Sequence, residues 1–102
     1  MTTKAQQGDI LKLGEVRYPI LVVSTNFFNE TELIVGCPII KDMIIDSPLH
    51  IAISTDKISG CVMCEDMRKF DTRIRRYSIL DRIKMSDIIN ITDAIQSIFD
   101  YI

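Results

Sequence analysis

Gly8-Asp-Ile-Leu-Lys-Leu13, then Gly14-Glu-Val-Arg17, then Tyr18-Pro-Ile-Leu-Val-Val-Ser24 is the stretch that decides the fold. After Gly8 the side chains alternate apolar and polar, the signature of a half-buried strand. Gly14 and Glu15 supply a turn. The run Ile20–Ser24 is rich in branched residues and too short and continuous for an amphipathic helix, which predicts a central strand buried on both faces. Two strands joined by so short a connection pair antiparallel.

Working outward, Leu33–Ile40 repeats the character of Ile20–Ser24, and Thr25–Glu32 between them offers turn chemistry through Asn26 and Asn29, with room for a short helix. His50–Ser54 alternates again. Gly60–Met67 predicts a fifth strand, and Tyr77–Leu80 a short further one. Brief, closely spaced elements of this kind favour antiparallel meander pairing into a small open barrel over crossover units. The last segment changes period. Ile88, Ile91, Ile95, Ile98 and Ile102 recur at three- and four-residue steps, widened by Ala94 and Phe99, which predicts an amphipathic helix capped by Ser86 with Asp87 in its first turn. Its stripe, including Phe99, Tyr101 and Ile102, is expected to pack on the barrel.

A chain of 102 residues supports one domain, read here as residues 1–102 with a flexible lead over residues 1–7. The apolar fraction of 47% is enough for a core, and no long uncharged apolar run is present to span a membrane or form a secretory leader. A cytoplasmic protein is expected. Cys37, Cys61 and Cys64 are an odd set, read as reduced and buried. Cys61-Val-Met-Cys64 is a CxxC, yet on a strand an offset of three sends the two thiols to opposite faces, where they could not grip a metal together unless the strand broke.

The net charge of −2 gives no global attraction to a polyanion, so any nucleic-acid site must be local. Arg68, Lys69, Arg73, Arg75, Arg76, Arg82 and Lys84 place seven of the twelve basic residues in one stretch, readable either as a solvated edge or as a surface that follows phosphates. No phosphate-cradling glycine loop, dinucleotide fingerprint or paired-carboxylate metal motif occurs. The expected cofactor and metal content is therefore none. RNA cleavage without a metal needs a group that draws the proton from the ribose 2′-OH, a proton donor for the leaving oxygen and cations for the phosphorane. Glu65 and Asp66 with Arg68, Arg73, Arg75 and Arg76 supply those types, and His50 adds a group that titrates near neutrality.

In their order the segments resemble the MazF/PemK/Kid toxin family. Gly8-Asp9-Ile10 and Pro19–Ser24 are similar to the family's opening, and Phe28-Asn29 sits where that family has a similar pair. Pro48-Leu-His50-Ile, followed by Val62-Met-Cys-Glu-Asp-Met-Arg68-Lys-Phe-Asp71-Thr-Arg73, resembles its second half. The resemblance implies a mainly β fold with a C-terminal α-helix, a small SH3-like antiparallel β-barrel of the MazF/PemK/CcdB-like type. It further implies a type II toxin that homodimerises, cleaves single-stranded mRNA without a metal and is neutralised by a cognate antitoxin.

The family commonly has arginine before the proline of the second strand and threonine in the third, where this chain has Tyr18 and Ile40. The catalytic assignment then falls on Arg17 and Glu65, with Arg68, Arg73, Arg75, Arg76 and His50 as RNA-binding residues. Two other readings remain open. One is a divergent toxin-fold protein that acts by binding a protein, as CcdB-like gyrase inhibitors do; the other is a non-toxic structural module.

Overall fold

The computed structural model describes residues 4–42 and 46–99. Strands β1 (Asp9–Leu13), β2 (Ile20–Val22) and β3 (Leu33–Ile40) follow one another, with a one-turn helix α1 (Asn26–Asn29) between β2 and β3. Next come β4 (His50–Ser54), β5 (Ser59–Met63), a 3-10 turn (Cys64–Asp66), β6 (Arg68–Asp71), β7 (Tyr77–Arg82) and helix α2 (Met85–Ile98). All pairings are antiparallel, in the spatial order β4-β5-β3-β2-β1-β7, and β6 pairs with β3. The sheet curls into a half-barrel carrying a helix, the mainly β class expected from sequence.

β3 is the spine of this sheet. One of its edges pairs with β2, Ile20 opposite Pro38 and Val22 opposite Gly36. The other edge pairs with β5 at Ile39 and Ile40 and with β6 from Leu33 to Gly36. Between those two ladders, β3 advances three residues, Ile39 to Gly36, while the partner run advances six, Val62 to Arg68. The excess is the 3-10 turn, looped out of the sheet. Thus the strand expected over Gly60–Met67 stops at Met63, the 3-10 turn follows and β6 begins only at Arg68, so Glu65 lies on the looped-out turn and not within a strand.

Proline explains the break. The Ile39 amide donates to the Pro19 carbonyl at 2.9 Å, so odd-numbered amides of β3 face β2 and the position of residue 38 faces the other edge. Pro38 has no N–H to offer there, and a central strand tolerates proline only where its ladder is interrupted.

The sheet buries both faces. One face carries Ile10, Leu21, Cys37, Ile39 and Val62 against Ile88 and Ile91 of α2. The other carries Leu11, Leu13, Ile20, Val22 and Ile34, closed by Ala5, Val16, Phe70 and Tyr77. Ile20–Val22 is buried throughout because its alternate side chains serve two cores, each worth about 1.5–3 kcal/mol per large apolar side chain removed from water. Within the lead over residues 1–7, Ala5 is buried and the Gln7 side-chain amide donates to the Val23 carbonyl at 2.9 Å. Asp9, also buried, accepts from the Gln6 amide at 2.8 Å and from Arg82 at 2.7 Å. Residues 1–3 lie outside the described residues.

Helix α2 begins at Met85, with Lys84 as its N-cap residue, so Ser86 lies inside the first turn and is not the cap. The strand before it sets that start, since the Ile83 amide bonds the Gly8 carbonyl at 2.9 Å and Ile83 is buried. The apolar stripe packs on the sheet through Ile88 and Ile91, which are buried, and through Ala94 and Ile95, partly buried against the same core. Phe99, expected in the core, is 70% exposed, and Tyr101 and Ile102 lie outside the described residues. Among the described residues no helix is long and apolar enough to cross a membrane.

Gly36 tests the close approach of β2 and β3. A Cβ there would press into Ile20 Cγ2 and sit 3.1 Å from the Leu21 carbonyl oxygen. Gly36→Ala is expected to destabilise the fold by about 1–3 kcal/mol, the usual cost of overpacking, read as a lower urea midpoint at unchanged slope.

Candidate nucleic-acid interface

On the sheet face opposite α2, side chains of one parity from three neighbouring strands form a depression. Tyr18 precedes β2 and Ile20 opens it, Gly36, Pro38 and Ile40 come from β3, and Arg68 and Phe70 from β6. Because Gly36 has no side chain, the floor is low at the point where it pairs with both Val22 and Arg68. Glu15, Arg17, Asp66 and Arg75 complete the walls of a cleft of about 600 Å³. Its base is apolar and its rim is charged, with Arg17, Arg68 and Arg75 against Glu15 and Asp66.

Backbone bonds bring the rim together. The β1–β2 hairpin is tightened by Val16 N–H to Leu13 O at 2.8 Å and by Lys12 Nζ to the carbonyls of Gly14 and Val16 at 3.1 and 3.0 Å. The Gly14 amide donates to the Arg76 carbonyl at 2.7 Å, which draws the basic segment against the hairpin that carries Arg17. The Arg17 guanidinium lies 5.2 Å from the centre of the Tyr18 ring, a cation–π contact that holds an exposed arginine over the cleft mouth.

The seven side chains expected to make one site divide among several places. Arg17, Arg68 and Arg75 meet at the cleft. Arg76 lines an adjoining groove with Lys69, Ile74 and the shared Arg68 and Arg75. Arg73 turns away: its guanidinium bonds Asp71 at 3.0 and 2.8 Å and lies 3.9 Å from Glu32. That pairing, chiefly the side-chain hydrogen bond, holds the Asp71 carboxyl below the usual carboxylate range.

Glu65 is not among the residues lining the cleft; its Oε1 stands 2.6 Å from His50 Nε2. Of the neighbouring pair Glu65 and Asp66, the residue that lines the cleft is Asp66, which shares the rim with Glu15 of the hairpin. Sequence reasoning grouped the two and could not separate them, because a continuous strand over Gly60–Met67 points the pair differently from a 3-10 turn. It also passed over Glu15 and Phe70, whose only signal was a place in the hairpin or the strand pattern, and it noted Tyr18 only as the residue at the family's arginine position, not as part of the cleft.

Cys61 and Cys64 are both free and buried, as is Cys37. The strand does break between the two cysteines of the CxxC, yet among the described residues no group of three or more His, Cys, Asp or Glu side chains is set to hold a metal ion. Burial, aided by neighbouring acidic groups, pushes Cys37 up to about 12 and Cys64 up to about 11. Cys61 is raised for the same reason.

The sequence model of the family described as PemK-like, MazF-like toxin of type II toxin-antitoxin system matches residues 11–99. No curated protein matches by sequence. Among solved structures, a MazE–MazF crystal structure from Deinococcus radiodurans (Form-II) superposes with a TM-score of 0.86 at 22% identity, over 99% of this chain and 100% of that chain. A MazF crystal structure from the same organism gives 0.82 at 21% identity, over 96% of this chain and 98% of that one. An endoribonuclease in complex with its cognate antitoxin from a mycobacterial species gives 0.78 at 18% identity, over 93% and 94%.

The buried thiols carry their own check. With midpoints of about 12 and about 11, the thiolate fraction at pH 8 is roughly one in ten thousand for Cys37 and one in a thousand for Cys64. An aromatic disulfide reagent is expected to leave both unmodified over minutes in the native protein and to titrate all three cysteines once guanidinium unfolds it.

Proposed function

The chain belongs to the family of PemK-like, MazF-like toxins of type II toxin–antitoxin systems, and from that membership we propose that it is an endoribonuclease whose single-stranded RNA substrate lies in the cleft between the β1–β2 hairpin and β6. The observation that carries this reading is the cleft itself: an apolar floor edged by three arginines that have no ion-pair partner within 4.0 Å among the described residues, on a chain whose net charge is negative. A base stacks on Tyr18 and Phe70, since every base has a π face, while the guanidinium groups take the phosphates.

Cleavage then needs no more than what the rim holds. Asp66 draws the proton from the 2′-OH, the 2′ oxygen attacks phosphorus, and the bond to the 5′ oxygen breaks with its proton supplied through water. Arg17 and Arg68 stabilise the charge that gathers on the phosphorane oxygens. The products are a 2′,3′-cyclic phosphate and a 5′-hydroxyl. Arg75 and Arg76 track the flanking backbone, and Arg73, occupied by Asp71, serves the fold of the loop. The reaction runs in the cytoplasm, where mRNA is met. The protein works as a homodimer restrained by a cognate antitoxin, whose acidic segment competes for the same arginines.

A second reading has one observation in its favour. Met85, Ile89, Ile98 and Phe99 leave apolar surface on α2 open, a contact that a toxin acting through protein binding could use.

Purified, antitoxin-free protein is expected to cut a long single-stranded RNA in the presence of EDTA, leaving cyclic phosphate ends. Arg17→Ala and Asp66→Asn each lower kcat about 100-fold or more at an unchanged melting temperature. Raising salt from 50 to 200 mM weakens binding of a non-cleavable DNA analogue by roughly tenfold, as a few arginine–phosphate contacts require. An RNA left intact by wild-type protein removes the enzyme reading and leaves the apolar face of α2 as the working surface.

A further inference from the structure

Next to the cleft, and not part of it, stands one charged cluster that the proposed reaction does not use, made of His50 on β4, Glu65 on the 3-10 turn and Asp46 ahead of β4. We propose that His50 is a positioning residue for the cleft. Through Glu65 it fixes the turn Cys64–Asp66 so that the Asp66 carboxylate stands on the cleft wall, and it loosens that turn when the imidazole loses its proton. The inference rests on the cleft being the RNA site.

The geometry is a clamp on three successive residues. The Cys64 amide donates to the Leu49 carbonyl at 3.0 Å, and the Cys64 side chain is wholly buried, in the core shared with α2. Glu65 Oε1 lies 2.6 Å from His50 Nε2. Asp66 then lines the cleft. In a 3-10 turn successive side chains diverge by about 120°, so holding residue 64 in the core and residue 65 against β4 leaves residue 66 the remaining direction. Only the Glu65 hold is electrostatic, and so only it can be switched.

His50 is itself well fixed, its side chain 13% exposed and its backbone opposite Met63 in the β4–β5 ladder. Two charged groups face it: Glu65 from the turn at Nε2, and Asp46 from the preceding segment, with Oδ1 3.3 Å from Nδ1. The other titratable neighbours, Cys61 on β5 and Cys64 on the turn, are thiols held uncharged by burial. The hydrogen bond that the His50 Nε2–H donates to Glu65, above all, raises the His50 pKa against an opposing effect of desolvation. The sign follows from that direction. Below the raised midpoint the imidazolium pairs with both carboxylates and the clamp is closed. As pH rises through it, the imidazolium charge and both ion pairs are lost, and what remains is one hydrogen bond from the neutral imidazole to the Glu65 carboxylate.

His50 is the only histidine, so its imidazole signal is unambiguous in an NMR titration of the full chain. The wild-type midpoint is expected above the ordinary value of about 6.5, and the Asp66 backbone amide is expected to shift with the same midpoint. Glu65→Gln should bring the His50 midpoint down and uncouple Asp66 from it. In single-turnover and steady-state cleavage of an RNA oligonucleotide, His50→Ala lowers kcat about tenfold at pH 6 with KM within about twofold. His50→Gln keeps a neutral donor, recovers much of that loss and removes the alkaline fall in kcat.

An Asp66 amide that ignores the His50 titration overturns the proposal, as does a variant that raises KM alone, which would mark direct RNA contact. Coupled titration in a wild-type protein that cleaves no RNA would sustain the clamp while sinking the RNA reading.

Discussion

The missing amide hydrogen of Pro38 is the constraint on which the rest of this structure depends. Among the described residues β3 is the only strand that pairs with three others, and its edge toward β5 and β6 is continuous except where Pro38 has nothing to donate. The partner run uses that gap to loop out Cys64, Glu65 and Asp66. Without the gap, β5 and β6 would form one long strand, Cys64 and Asp66 would share a face with Val62 and Arg68, and Asp66 would not be carried to the cleft by a separate element. The turn lets one short segment serve a core through Cys64, a neighbouring strand through Glu65 and the cleft through Asp66.

The second consequence is a division of labour between the two faces of the sheet. A strand as short as β2 cannot hold a hairpin by hydrogen bonds alone, so it is secured by apolar side chains on both sides, Leu21 toward α2 and Ile20 and Val22 away from it. The face toward α2 is closed. The other is only partly covered, by Ala5, Val16, Phe70 and Tyr77, and the uncovered part is the cleft. A negative chain can then offer a polyanion a favourable approach, because field at short range follows the nearest unpaired charges and not the total.

Most of the architecture was legible because it rests on period and turn chemistry. β1, β2 and β3, the short helix after β2, β4 and the helix near the end of the chain all fall where alternation, branched runs and a three-to-four step place them. What escaped was non-local. The bulge at Cys64–Asp66 depends on a proline twenty-six residues earlier, a pairing that no local pattern in residues 60–67 announces. The helix start at Met85 was displaced from the Ser86 cap because Ile83 had to reach the core beside Gly8. At the site, sequence could supply the arginines but not their partners. Arg73 and Arg75 look alike in a string of bases, yet Asp71 takes one and leaves the other at the cleft.

The same reasoning bears on how little the replacement of a single residue type need change. Tyr18 and Ile40 stand in positions where a guanidinium and a hydroxyl were expected from the family resemblance, and both line the cleft. Arg17 sits one residue earlier, where an extended chain would aim it to the opposite side, but the tight hairpin ends there and the Tyr18 ring offers its face to the guanidinium. The aromatic ring at that position thus lies against the neighbouring arginine, and both line the cleft. Ile40 offers no hydrogen bond, since an alkyl group neither donates nor accepts. In the proposed reaction the polar group that takes the proton is Asp66, carried to the cleft by the turn, so that reading depends on the bulge that Pro38 permits.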